Sequence, residues 1–138
     1  MNRYLLDTNV VSELRKRKPH GAVVAWLGSL HEDQVFLSAV TMGELQAGIE
    51  LTRDQDANKA REIELWADQL ADTYQILPMD TSCFREWGRL MHSKSDRLIE
   101  DSMIAATARV NGLIVATRSE RDFKPLHVQV FNPFKGNG

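Results

Sequence analysis

The 138-residue chain is 43% hydrophobic and 26% charged, with a net charge of −2. That is the composition of one folded domain with a real core, and it excludes both a disordered chain and a strongly basic nucleic-acid binder. The lone cysteine, Cys83, excludes an internal disulfide framework and suits a reducing compartment. Asp7 interrupts the early apolar run, so no leader is expected, and there is no run of about 18 apolar residues. We therefore expect a single cytoplasmic domain over 1–138 with no membrane association.

Tyr4-Leu5-Leu6 reads as a buried strand that ends abruptly in Asp7-Thr8-Asn9 before a helical pattern over Val10 to Arg15. A capping role for Asp7, Thr8 or Asn9 satisfies this pattern, and so does an acid at the carboxyl end of a sheet strand, where α/β folds bind ligands. The basic run Arg15-Lys16-Arg17-Lys18, closed by Pro19, is read either as a solvated helix end favoured by the dipole or as a phosphate contact. Val23, Trp26, Leu27 and Leu30 form the core stripe of a second helix. Val35–Ala39 reads as the next strand and leads into a helix over Val40–Ile49. Ser38 or Thr41 could cap that helix, and Thr41 with Glu44 has capping-box spacing. Gly43, Ala47 and Gly48 are too small to fill a core unless another backbone approaches closely, which would set Glu44 in a tight cleft.

A long polar helix is expected through Leu51 to Leu70, with Ile63, Trp66 and Leu70 inward. Tyr74–Pro78 reads as a third strand. Asp80 or Thr81 then caps a helix whose Phe84, Trp87, Leu90 and Met91 are assigned to the core. His92 to Arg97 reads as a polar, basic loop. On the following helix Asp101 shares a face with Ile104, Ala105 and Ala108, which is the wrong face for solvent. Asn111-Gly112 ends this helix, Leu113–Ala116 is the fourth strand, and a short final strand lies around Val128-Gln129-Val130. The alternation of strands and helices predicts a single parallel α/β sheet of about five strands flanked by helices.

Asp7, Glu44 and Asp101 each lie at or near an element boundary beside apolar or small neighbours. Like charges gathered in one cleft raise one another's pKa and stay ionised only with a cation. Mg²⁺ or Mn²⁺ needs only two or three carboxylates because it keeps waters, and the lack of a His/Cys cluster argues against zinc.

At these residues the sequence resembles a known family. Leu5–Glu13, Leu37–Leu45, Asp101–Ala108 and Val115–Phe123 resemble, in order and spacing, the successive motifs of PIN-domain ribonucleases. The similarity is to the VapC toxins of toxin–antitoxin pairs, and among them to the FitB-like branch, whose chains close with a segment like Val130–Phe134. The resemblance implies a PIN-like domain with strand order 3-2-1-4-5, and it implies that Asp7, Glu44 and Asp101 hold the metal. The family commonly has an acid or asparagine where this chain has Ser119. Asp122, or after it Glu120, is the candidate to supply that missing charge. Thr8, Asn9 and Thr117 would orient carboxylates or waters, although each also suits a turn or cap.

The implied activity is a metal-dependent endoribonuclease toxin in which water attacks phosphorus in line. Arg15, Lys16, Lys94, Arg97 and Arg118 are candidate phosphate contacts. The implied partners are an RNA substrate, a cognate antitoxin whose Arg or Lys could replace the cation, promoter DNA bound through the antitoxin, and a second copy in a homodimer. Two alternatives come from other classes. One is a catalytically silent PIN-like binding subunit, motivated by Ser119, and the other is a Mg²⁺-dependent DNA nuclease or phosphatase.

Overall fold

The apolar run Tyr4–Leu6 becomes β1, the middle strand of the sheet, in a computed structural model that describes residues 1–92 and 99–135. β2 (Val35–Ser38), β3 (Gln75–Leu77), β4 (Ile114–Ala116) and β5 (Val130–Phe131) complete it in the order β3-β2-β1-β4-β5. Every neighbouring pair is parallel, so both the parallel α/β class and the strand order agree with expectation. Side chains alternate along a strand, and the register sorts them into two cores. Tyr4 and Leu6 pair with Val35 and Leu37 and with Ile114 and Ala116, all in one apolar cluster. Leu5, Phe36 and Val115 point the other way into a second cluster. A central strand buried on both faces must be apolar at every position, which is why β1 shows no polar alternation.

Helices α1 (Thr8–Glu13) and α2 (Gly21–Gly28) cover the first face with Val10, Val11, Val23 and Trp26. α3 (Ala39–Arg53) packs on α4 (Ala57–Thr73), which adds Trp66 and Leu70 to that side. α5 (Thr81–Met91), α6 (Ile99–Asn111) and the short α7 (Glu120–Phe123) cover the second face with Leu90, Ile104, Ala105 and Phe123. Parallel crossovers are right-handed, so the helices change face where the strand order reverses, between β1 and β4. The connections leaving those two strands diverge and open a crevice at their carboxyl ends. Among the described residues no helix is long and apolar enough to cross a membrane.

Several local expectations need correction. The helix expected through Leu51–Leu70 is two helices, because the chain turns at Asp54-Gln55 and the Asp56 carboxylate caps α4 by accepting the Lys59 N–H at 3.0 Å. A capping side chain competes with helix continuation, which hydrophobic spacing does not register. The final strand falls on Val130–Phe131, later than Val128–Val130. Phe84 is 49% exposed rather than core, with its ring edge-on to Trp87. Ser38, not Thr41, caps α3, accepting the Val40 N–H at 3.0 Å. Among the described residues nothing lies within 4 Å of a Cβ built at Gly43 or Gly48, so the small residues of α3 are exposed rather than pressed against another backbone. The loop expected after His92, with Lys94 and Arg97, lies outside the described residues.

Gly112 ends α6 at φ +67°, in the left-handed region, as the Asn-Gly pair predicts. A Cβ there would find its nearest neighbour, Arg3 Nη2, at 3.9 Å, so there is room for one. Gly112→Ala is therefore expected to destabilise by about 1 kcal/mol through backbone strain alone, read as a lower urea midpoint with unchanged slope.

Candidate active site

β1 is followed directly by Asp7 and β4 by Thr117, so the adjacent, parallel ends of these strands bring the two residues together. The Asp7 N–H continues the ladder to the Ala116 carbonyl at 2.9 Å. Its carboxylate accepts the Thr8 N–H at 2.8 Å and the Thr117 hydroxyl at 2.7 Å. Asp7 is only 5% exposed and occupies the N-cap position of α1, so it caps the helix and lines the crevice at once. The cap and the strand-end position, which the sequence left as alternatives, coincide in one side chain.

α3 carries Glu44 to the same crevice. The Thr8 hydroxyl donates to Glu44 Oε1 at 2.7 Å and lies 3.0 Å from the Thr41 hydroxyl. Thr8 has a single hydroxyl proton, and the carboxylate takes it, so Thr41 must be the donor to Thr8. The Thr41–Glu44 spacing thus serves a relay to α1, not a cap. Asp101 enters from the first turn of α6, half-buried. From the loop after β4, the Ser119 hydroxyl accepts the Asn9 amide at 3.0 Å, while the Ser119 N–H donates to Thr117 Oγ1 at 2.9 Å. Thr8, Asn9 and Thr117 therefore tie α1, α3 and the β4 loop into one hydrogen-bonded frame.

These elements enclose an open cleft of about 470 Å³ lined by Asp7, Glu44, Asp101, Asp122 and Ser119. The structure brings these five residues together but not Glu120, which pairs with Lys135 at 3.1 Å and lines a different hollow. Of the basic candidates, Lys16 and Arg118 line the cleft, while Arg15 lines a neighbouring groove. Glu13 lines the cleft as well and received no role from sequence reasoning. It is buried at 5% exposure, and its carboxylate contacts Lys16 Nζ at 2.9 Å and accepts the His20 N–H at 2.9 Å. Its spacing of four from Asn9 and three from Lys16, which places all three on one helical face, could have revealed it.

The electrostatics at the base of the cleft are those of acids that raise one another. Burial pushes the Asp7 carboxyl above its usual range against the pull of Thr117 and Thr8, with Asp122 raising it further. Burial and the charges of Asp7 and Glu100 likewise raise Glu44, opposed by Thr8. Asp101 is pushed up to about 6 by burial and then by Asp7, Asp122, Glu44 and Glu100. Among the described residues none of these acids forms an ion pair. A cluster of this kind attracts cations strongly. Asp7, Glu44 and Asp101 are the acids that a cation entering the cleft would meet. Among the described residues, no three acid, His or Cys side chains are close enough to ligate a single ion directly as they stand.

Residues 4–126 match the PIN domain family. The chain is 36% identical to the VapC ribonuclease Y4jK of Sinorhizobium fredii, across 95% of this chain and 97% of that protein. It is 37% identical to the toxin FitB of Neisseria gonorrhoeae, across 94% and 97%. The solved structure of FitAB bound to an IR36 DNA fragment superposes with a TM-score of 0.81 at 34% identity, covering 95% of each chain.

Proposed function

The chain belongs to the PIN domain family, and from that premise we propose that it is a metal-dependent endoribonuclease, the toxin of a toxin–antitoxin pair, acting in the cytoplasm. The observation that carries this reading is the convergence of Asp7, Glu44, Asp101 and Asp122 on one cleft at the ends of β1 and β4, in a chain similar end to end to proteins named ribonuclease and toxin. These four acids offer only oxygen, none of them forms an ion pair among the described residues, and the cleft has room for water. This suits Mg²⁺ or Mn²⁺, which keep part of their hydration shell and need few direct carboxylates.

Asp7 and Asp101 would hold the cation, Glu44 would hold it or orient the attacking water, and Asp122 would add the fourth charge in place of Ser119. When bound, such a cation lowers the pKa of water and stabilises charge on the attacked phosphate and the leaving oxygen. The chain's own part is positioning. Thr117 and the Thr8 N–H fix both oxygens of Asp7, and Thr8, itself held by Thr41, fixes Glu44. Groups oriented in this way need not reorganise when the phosphate arrives.

An antitoxin Arg or Lys entering the same acids would silence the enzyme by replacing the cation. DNA binding through that partner accords with the DNA-bound FitAB complex. A homodimer belongs to the same reading, since the exposed Gly43, Ala47 and Gly48 leave one face of α3 without a partner among the described residues. The test uses purified chain without antitoxin on RNA, single-stranded DNA and a phosphomonoester. New RNA ends should appear with Mg²⁺ or Mn²⁺, vanish with EDTA and return when the cation is restored. RNA left intact under every cation would overturn the nuclease reading, and preferential turnover of DNA or phosphomonoester would replace the substrate.

A further inference from the structure

The acidic cleft has one cationic wall, and that wall is built. Arg118 follows Thr117, the residue whose hydroxyl holds Asp7, and its backbone N–H reaches Asn9 Oδ1 at 3.3 Å, so its stem is anchored beside the acids. Its guanidinium lies over the Phe134 ring, 3.8 Å from the centroid. Phe134 is fixed in turn: its N–H donates to Asn132 Oδ1 at 2.9 Å, the preceding Pro133 is buried, and its ring meets the His20 ring at 5.4 Å. The Glu13 carboxylate joins this assembly from behind, accepting the His20 N–H and holding Lys16 on the rim. Among the described residues no carboxylate lies within ion-pair distance of Arg118, whereas Lys16 is already paired.

An exposed arginine normally loses rotamer freedom when it captures a ligand, and stacking on an aromatic face removes that cost in advance. The stack uses the flat face of the guanidinium and leaves its N–H edges free for bidentate contact with phosphate oxygens. A chain with a net charge of −2 and five acids lining its cleft needs such a contact to hold a polyanion there.

We propose that Arg118, seated on Phe134 and flanked by Lys16, is a phosphate-anchoring subsite for the RNA backbone, and that Phe134 is a positioning residue for Arg118. This rests on the nuclease reading above, and it gives the C-terminal Asn132-Pro133-Phe134 segment a role in substrate binding.

The test compares Phe134→Leu, which keeps apolar bulk without a π-face, with Phe134→Tyr, which keeps both, using cleavage of a short single-stranded RNA. Phe134→Leu should raise KM about five- to tenfold with little change in kcat, and Phe134→Tyr should restore it. Arg118→Ala should raise KM at least as much and make the salt dependence of RNA binding shallower by about 0.7 in log–log slope. Adding Phe134→Leu to Arg118→Ala should change nothing further. An unmoved KM in Phe134→Leu, equal defects for Leu and Tyr, or additive effects in the double variant would each overturn the inference. Arg118 is exposed, so Arg118→Ala remains informative if the Phe134 variants misfold. A wild type that cleaves no RNA brings down the nuclease reading itself, whereas a wild type that cleaves while Phe134→Leu matches it brings down only this subsite.

Discussion

Asp7→Asn is expected to leave a folded protein whose RNA cleavage falls by about 10²–10³-fold or more, as several kcal/mol of cation-mediated stabilisation is lost at about 1.4 kcal/mol per tenfold. The fold should survive because the asparagine is isosteric and its carbonyl can still accept from Thr117 or the Thr8 N–H, the two donors that Asp7 satisfies. The change removes one negative charge at an acid of the cleft that is only 5% exposed. Single-turnover cleavage of RNA and growth after induction in cells without antitoxin are the two measurements. Equal growth inhibition by wild type and Asp7→Asn would place the chemistry elsewhere. Thr117→Val should show a smaller version of the same loss, about 10–100-fold, because it frees one oxygen of Asp7 without removing its charge.

Asp101→Asn is expected to inactivate the enzyme and, in the cation-free protein, to stabilise it. Asp101 titrates at about 6 in the folded chain against 3.8 unperturbed. The folded state therefore binds this proton more tightly than the unfolded chain, and stability falls as pH rises through the interval between those values. The cost of the ionised carboxylate is absent below about 3.8 and fully present above about 6. Because Asp101 is only half-buried, solvent screening reduces this to on the order of 1 kcal/mol. Urea midpoints in EDTA should therefore show Asp101→Asn gaining on wild type at pH 7.5 and the gain fading toward pH 4. Identical pH dependence in the two proteins would show that Asp101 carries no such strain. Protons and cation compete for the same carboxylate, so wild-type cleavage at limiting Mg²⁺ should fall as pH drops through about 6. Excess Mg²⁺ should move that midpoint lower.

The fold was legible because one physical signal repeats. Tyr4–Leu6, Val35–Leu37 and Leu113–Ala116 are apolar on both faces, which only a sheet covered on both sides can accommodate. Asp54–Asp56 was missed because a side-chain cap broke a helix across an unbroken polar pattern. Phe84 was misassigned because an aromatic residue at helical spacing need not face the core. The acids Asp7, Glu44 and Asp101 stood out locally, each being a charge among small or apolar neighbours. Their common cleft was legible only by taking the three together and through the family resemblance, since Glu44 and Asp101 meet Asp7 only through the crossovers of the sheet.

The alternation of apolar strands and amphipathic helices determined by itself that this chain makes a parallel α/β domain, and that an acid ends its first strand. Those are properties of neighbours along the chain, where periodicity and abrupt polarity changes act directly. The tertiary structure alone decided that Thr117 holds Asp7 from 110 positions away, that Ser119 is bound by Asn9, and that Phe134 carries Arg118. It also placed Asp122 on the cleft and Glu120 against Lys135, although the two stand only two positions apart on α7. Such pairings depend on strand order and helix rotation, so they exist only once the sheet has brought distant segments within a hydrogen bond's reach.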